Sequence, residues 1–253
     1  SDNRHIVTIP ADELRQMGYL DLQLERTAQD QYSISFFDQS DNVIERLEAN
    51  ITFTLPASSE LSSVQAVCAG YSDNWGGQYD GQSKTIAFQT PYTGEYTILI
   101  NTIDIPDIDY LSDEMQQAIM FMVSKGYFEL DTEGRFNPSV GLNRYQFTQA
   151  LVKIFFALNL DAATSFPDVT KDNPYYSYVA SGEENEILNG YDDGLFHGDK
   201  DILRVHMLAV CGRTLANKKN YSRPGDPTVY LNYVDSADIP KWSFGDLSLT
   251  VRE

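Results

Sequence analysis

Hydrophobic and polar positions alternate with a period of two along the first hundred residues, and the period then lengthens to that of a helix. Tyr32, Ile34 and Phe36 alternate with Ser33 and Ser35, and Ile51, Phe53 and Leu55 alternate with Thr52 and Thr54. Ile86 with Phe88, and Tyr96 with Ile98 and Ile100, follow the same rule. Alternation built from β-branched and aromatic residues predicts strands with one face on a core. Turn-forming residues separate them: Asp38 to Asn42, Pro56 to Ser59, Asp80-Gly81 and Thr93-Gly94. One short helix is predicted from Pro10 to Met17, with Pro at its start. Short strands with closely spaced turns predict an all-β sandwich over residues 1–103.

The pattern changes at Asn101 to Asp109. Ser112 can cap a helix carrying Met115, Ala118, Ile119, Met122 and Val123, which Gly126 ends with a left-handed step. A second helix opens on Asn143-Arg144-Tyr145-Gln146, where Asn and Gln form a capping box. Behind it Phe147, Leu151, Ile154, Phe155 and Leu158 make one apolar stripe. This arrangement comes round again sixty residues later, with Gly134 matched by Gly194, Phe136 by Phe196 and Arg144 by Arg204. Met207, Cys211, Thr214 and Leu215 form the second stripe. Leu203 and His206 cannot form a box, so Asp201 is the expected cap there, with an earlier helix start. The stretch after Lys218 is a loop by its Pro and Gly content.

The second copy, Glu-Ile-Leu-Asn-Gly (186–190), Tyr-Asp-Asp-Gly-Leu-Phe (191–196) and Ile-Leu-Arg-Val-His-Met (202–207), resembles the S-layer homology repeat. Phe166-Pro167-Asp168 supplies that repeat's start, Ile105-Pro106-Asp107 a weaker start for the first copy, and Tyr233-Val234-Asp235 a third. The resemblance implies an all-α helical repeat domain over 104–253, with repeats at about 105–160 and 166–220 and a partial third at 233–253. It implies a non-catalytic, secreted protein of a Gram-positive bacterial cell surface. Such a protein is held noncovalently on an anionic, usually pyruvylated, secondary cell-wall polysaccharide, and other surface-layer proteins are a second class of partner. In the family an Arg of Thr-Arg-Ala-Glu faces the sugar, which maps onto Arg144 and Arg204. Thr is replaced by Asn143 and Leu203, and Glu by Gln146 and His206. The glycines of the turns, Gly126, Gly134, Gly190 and Gly194, would let a ligand approach backbone N–H groups. More faintly, residues 49–56, 79–88 and 92–96 resemble the β-domain preceding such repeats in clostridial surface proteins.

From the residues alone, each of the two arginines has two candidate partners. A cation in the first turn of a helix meets the positive end of the dipole, a cost of about 0.3–1 kcal/mol that a nearby anion offsets. Asp131 or Glu133, and Asp192 or Asp193, are internal candidates; a carboxylated sugar is the external one. The altered motifs keep open a scaffold whose repeats only pack, with its contacts on the β-sandwich.

Charge narrows the class of partner. The chain of 253 residues carries 37 acidic and 18 basic residues, a formal charge of −19. That argues against nucleic acid and against anionic membranes. No stretch reaches membrane-spanning length, and Ser1 to His5 lacks a signal core, so an exported protein is expected here in mature or trimmed form. Cys68 and Cys211 fall in separate predicted domains and no Cys-His cluster has zinc spacing, so neither a disulfide nor a cofactor is expected. Turn formation accounts for Asp131 to Gly134 and Asp192 to Gly194 without calcium. His5, His197 and His206 stand in no nucleophile motif, and no phosphate loop exists. Core packing is the first expectation for Trp242, Tyr175 and Tyr176, with stacking on a sugar as the alternative. Trp75 is expected to fold back on its sheet, the alternative being an exposed sugar platform with Gly76-Gly77 and Tyr79.

Overall fold

The computed structural model describes residues 5–11, 14–15 and 18–253. Of the helix expected over 10–17, residues 12, 13, 16 and 17 lie outside the described residues. The chain divides into two compact units, Ser1–Ser139 and Val140–Glu253. The change from strands to helices near residue 103 therefore lies inside the first unit.

The first unit contains β1 (Ile6–Thr8), β2 (Asp21–Ala28), β3 (Gln31–Phe37), β4 (Val43–Ile44), β5 (Arg46–Pro56), β6 (Ser62–Cys68), β7 (Tyr71–Asn74), β8 (Gln78–Asp80), β9 (Thr85–Tyr92) and β10 (Gly94–Ile100). One sheet has the order β1-β5-β9-β8; the other runs β2-β3-β10-β6-β7, with β4 paired to β3. All pairs are antiparallel. The alternating positions point inward as the pattern requires: Ile34, Phe36, Ile51, Phe53, Leu55 and Tyr96 are fully buried. Phe88 lies 5.8 Å from Phe53 and 5.2 Å from Tyr96, ring centre to ring centre. Trp75, 8% exposed, packs edge-on against Tyr92 and Tyr96 and so belongs to this core.

Helix α1 (Asp113–Ser124) follows, capped by the Ser112 hydroxyl, which accepts the Met115 N–H. Ile119 and Val123 pack with Ile105 and Ile108. Its C-terminal end is fixed to the strands of the same unit by polar contacts. Ser124 Oγ donates to Asn101 O at 2.7 Å, and Asn101 Nδ2 donates back to Ser124 O at 3.0 Å. The Lys125 ammonium, 1% exposed, donates to the carbonyls of Ser62 and Gly77. Gly126 takes the left-handed step (φ +68°), and a Cβ there would lie 2.7 Å from Asn74.

The second unit contains α2 (Arg144–Phe155), α3 (Tyr176–Glu184), α4 (Arg204–Lys219) and α5 (Phe244–Arg252). The expected capping box at α2 forms: Gln146 N–H donates to Asn143 Oδ1 at 2.9 Å and Asn143 N–H to Gln146 Oε1 at 3.1 Å. The expected Asp201 cap of α4 does not. That helix starts at Arg204 behind Leu203, with no side-chain cap, because Asp201 pairs with Asn143 in an isolated antiparallel bridge. The bridge joins the entries of α2 and α4, with Ile202 N–H donating to Leu142 O at 2.8 Å. Tyr145, Phe147, Leu151, Val179, Phe196 and Val210 are among the core residues, and Tyr175 stacks on Tyr145 at 5.1 Å. Helix α5 lies close on α4: a Cβ on Gly212 would stand 2.0 Å from the Asp246 carbonyl oxygen.

Candidate functional site

Both copies of the repeat fold their turn around one carboxylate. In the second unit, Asp168 accepts the N–H groups of Phe196 and His197, and Gly194 (φ +78°) closes the turn before them. That turn brings the Phe196 carbonyl to the start of α2. Arg144 Nε donates to it at 2.8 Å, and Nη2 donates to the Asn189 carbonyl at 3.0 Å. The guanidinium also lies over the rings of Phe196 and Tyr191, at 4.6 and 4.8 Å. Arg144 is 7% exposed and has no carboxylate in ion-pair contact among the described residues. Burial lowers its pKa, opposed chiefly by Tyr191.

The remaining face of this arginine borders a pocket of about 390 Å³, shared with Gly190, Tyr191, His206, Arg213 and Trp242. Arg213 donates to Ile187 O at 2.8 Å and pairs with Asp246 at 3.3 Å, while Asp246 also pairs with Arg223 at 2.6 Å. The His206 ring stands between Tyr191 and Trp242, with centroid distances of 5.8 and 5.3 Å. Its Nδ1 is buried without a hydrogen-bond partner among the described residues. Burial, then Arg144 and Arg213, lower its pKa, so it is neutral at pH 7. The site thus offers one guanidinium with only neutral partners, a second already balanced by an acid, and aromatic walls. That combination suits a small anion attached to an apolar or sugar-like body.

Of the residues singled out in the sequence, Arg144 and Gly190 border this pocket. Gly190 is required by crowding: a Cβ there would lie 2.7 Å from the Phe166 ring and 3.1 Å from Leu195 O. Arg204 is exposed and does not line the pocket, and neither does Gly194. Gly126 and Gly134 belong to turns of the first unit. There Glu133 pairs with Arg135 at 2.9 Å, and Asp131 accepts N–H groups of its own turn. In the second copy, Asp193 bonds His197 at 2.7 Å.

The pattern reading missed His206, Arg213 and Tyr191. Arg213 had a visible signal, since the sixty-residue offset matches it to another cation, Lys153. Trp242 was expected in the core, yet it is 57% exposed, because the short helical turn Lys241–Ser243 holds it on the pocket wall instead of under it.

The family model of the S-layer homology domain matches residues 165–207. The chain is 25% identical over 149 residues to the surface-layer 125 kDa protein of Lysinibacillus sphaericus, a match covering 57% of this chain and 12% of that one. It is 35% identical over 74 residues to outer membrane protein alpha of Thermotoga maritima, covering 29% of this chain and 18% of the other. The chain therefore spans less than a fifth of the length of these curated relatives. Among the described residues, no helix is long and apolar enough to cross a membrane. The matched segment runs from the Asp168 turn to the first residues of α4, so the second unit contains an S-layer homology domain.

Proposed function

We propose that the second unit anchors the protein noncovalently to an anionic polysaccharide of the bacterial cell wall, with a carboxylated, pyruvate-type sugar in the pocket beside Arg144. The observation that carries this reading is the state of that arginine. A guanidinium withdrawn from water is costly unless an anion or full hydrogen bonding compensates it. Two carbonyls and two aromatic faces supply part of the compensation here. A carboxylate bound from the pocket side completes it through the guanidinium edge left over. Trp242 and Tyr191 would pack on the sugar ring, and Gly190 keeps the approach to the backbone open. The similarity to surface-layer proteins supports a structural role at the cell surface, and other surface-layer proteins remain proposed neighbours. Secretion and a non-catalytic role are parts of the same proposal.

A second reading has its own observation. Arg213 is already balanced by Asp246, and the Arg204 position lies away from the pocket, so the repeats could serve as packing units alone. Cosedimentation with purified cell walls, before and after chemical removal of the secondary polymer, separates the two. Binding that disappears with the polymer supports anchoring. Binding indifferent to polymer removal, or none at all, leaves the scaffold.

A further inference from the structure

The chain has one Asn-Gly pair, Asn189-Gly190, and both residues are exposed beside the Arg144 pocket. A backbone N–H can attack the side-chain amide of the preceding Asn, and glycine obstructs that attack least because it has no Cβ. The surroundings favour each part of the reaction. The Gly190 N–H makes no hydrogen bond among the described residues, so the nucleophile is free. The carbonyl conjugated with that nitrogen is Asn189 O, which accepts Arg144 Nη2 at 3.0 Å. Negative charge spreading onto this oxygen as the N–H ionises is stabilised by the guanidinium. In the amide orientation that satisfies both its groups, Asn189 Nδ2 donates to Leu188 O at 2.8 Å and Oδ1 accepts from Arg213 Nη1 at 3.3 Å. Arg213 thus stands where the oxyanion of the tetrahedral intermediate forms.

We propose that Asn189 is a site of spontaneous deamidation promoted by the two pocket arginines, and that the product closes the pocket to anions. The Gly190 nitrogen loses its proton and bonds to Asn189 Cγ. The Cγ–Nδ2 bond then breaks, and the side-chain nitrogen leaves as ammonia with that proton. Water opens the resulting succinimide at either carbonyl, giving aspartate or isoaspartate; one water is consumed, one ammonia released, and nothing is oxidised or reduced. The new carboxylate lies beside Arg213 and Arg144 and competes with any bound anion. This second consequence rests on the anchoring reading above.

The test begins with ageing the whole protein in mildly alkaline buffer and mapping its peptides by mass, with isoaspartate detection at position 189. A free peptide of residues 183–196 serves as the reference. The folded protein should convert faster than the peptide, and Arg213→Lys should slow it towards the peptide rate. Conversion in the peptide but not in the protein, or a protein rate indifferent to Arg213→Lys, overturns the proposed promotion. In wall cosedimentation, Asn189→Asp should weaken binding by about tenfold, as one added charge near the site implies. Asn189→Gln, which keeps the side chain neutral, should weaken binding less than Asn189→Asp does and should resist ageing. Unchanged binding by Asn189→Asp overturns the closing of the pocket. Absence of binding by the unmodified protein removes the anchoring reading, while the mass measurement still judges the deamidation by itself.

Discussion

The Asp168 carboxylate accepts the Phe196 N–H at 2.9 Å across 28 residues of chain. Its other oxygen takes the His197 N–H at 2.7 Å. In the first unit, Asp107 repeats the pair with Phe136 at 2.9 Å and Asn137 at 2.7 Å. His197 and Asn137 both have positive φ, 54° and 56°. A turn that presents two successive N–H groups to one carboxylate therefore closes each copy, and in the second copy it sets the carbonyl that receives Arg144.

Asp168→Ala should cost about 2–4 kcal/mol, since each of two charge-assisted bonds is worth about 1.5–3 kcal/mol and the site is partly wet. Chemical denaturation followed by circular dichroism measures it. Burial opposes ionisation of Asp168, but the N–H groups of Phe196 and His197 prevail and hold its pKa below the ordinary value of 3.8. The folded pKa is depressed, so its stabilisation is fully present above the unfolded value of about 3.9 and is lost as pH falls through the folded one. The acid unfolding curve of Asp168→Ala should be flatter than that of the unmodified protein across this window.

Lys125 makes an opposite prediction at alkaline pH. Burial depresses its pKa to about 8, with Glu60 opposing the shift. Below pH 8 the ammonium is charged in both the folded and unfolded chain, and the folded state bears the whole desolvation cost. As pH rises from about 8 to the unfolded value of about 10.4, that cost is relieved, by up to about 3 kcal/mol. Lys125→Met should abolish this alkaline gain. Its absolute stability is a poor readout, because the Ser62 and Gly77 carbonyls lose their donor. The slope against pH is the test.

The two arginines matched by the repeat should behave differently. Arg144→Lys cannot reproduce the forked contact with two carbonyls and should weaken wall binding by about tenfold to a hundredfold. Arg144→Ala also strands those carbonyls, at about 1–3 kcal/mol of stability. Arg204→Ala should change stability by no more than about 0.5 kcal/mol and leave cosedimentation unaltered. Equal losses from Arg204→Ala and Arg144→Lys would move the site away from the pocket.

Gly212 gives a packing test. Its missing Cβ lets α5 approach α4, and Asp246 on α5 then balances both Arg213 and Arg223. Gly212→Ala should displace α5, costing about 1–3 kcal/mol as overpacking does. Hydrogen exchange should rise selectively in residues 244–252. Uniform exchange across the second unit would mean general unfolding instead.

The alternating stretches of β3, β5, β9 and β10 were readable because each buries one face, so the period survives in the residues. Strands β6 and β7 were not. The sequence Ser62 to Cys68 mixes buried serines with an outward Val67, and β7 has no apolar rhythm at all. Its place is set by pairing with β6, a non-local event. The Asn143 box was legible from side chains three positions apart. The start of α4 was misread because the Asp201 partner, Asn143, is 58 residues away.

What the sequence determined by itself is the repeat: the Gly turns, the Asp of each start, the capped helix behind Arg144 and the period of the strands. Each depends on backbone preference or local spacing, which a short window of residues contains. Only tertiary structure distinguished Arg144 from Arg204. The two share a motif position, yet one enters a crevice lined by Tyr191, Phe196 and Trp242, and the other remains in solvent. Desolvation depends on what other parts of the chain stack around a side chain, and no local pattern records that.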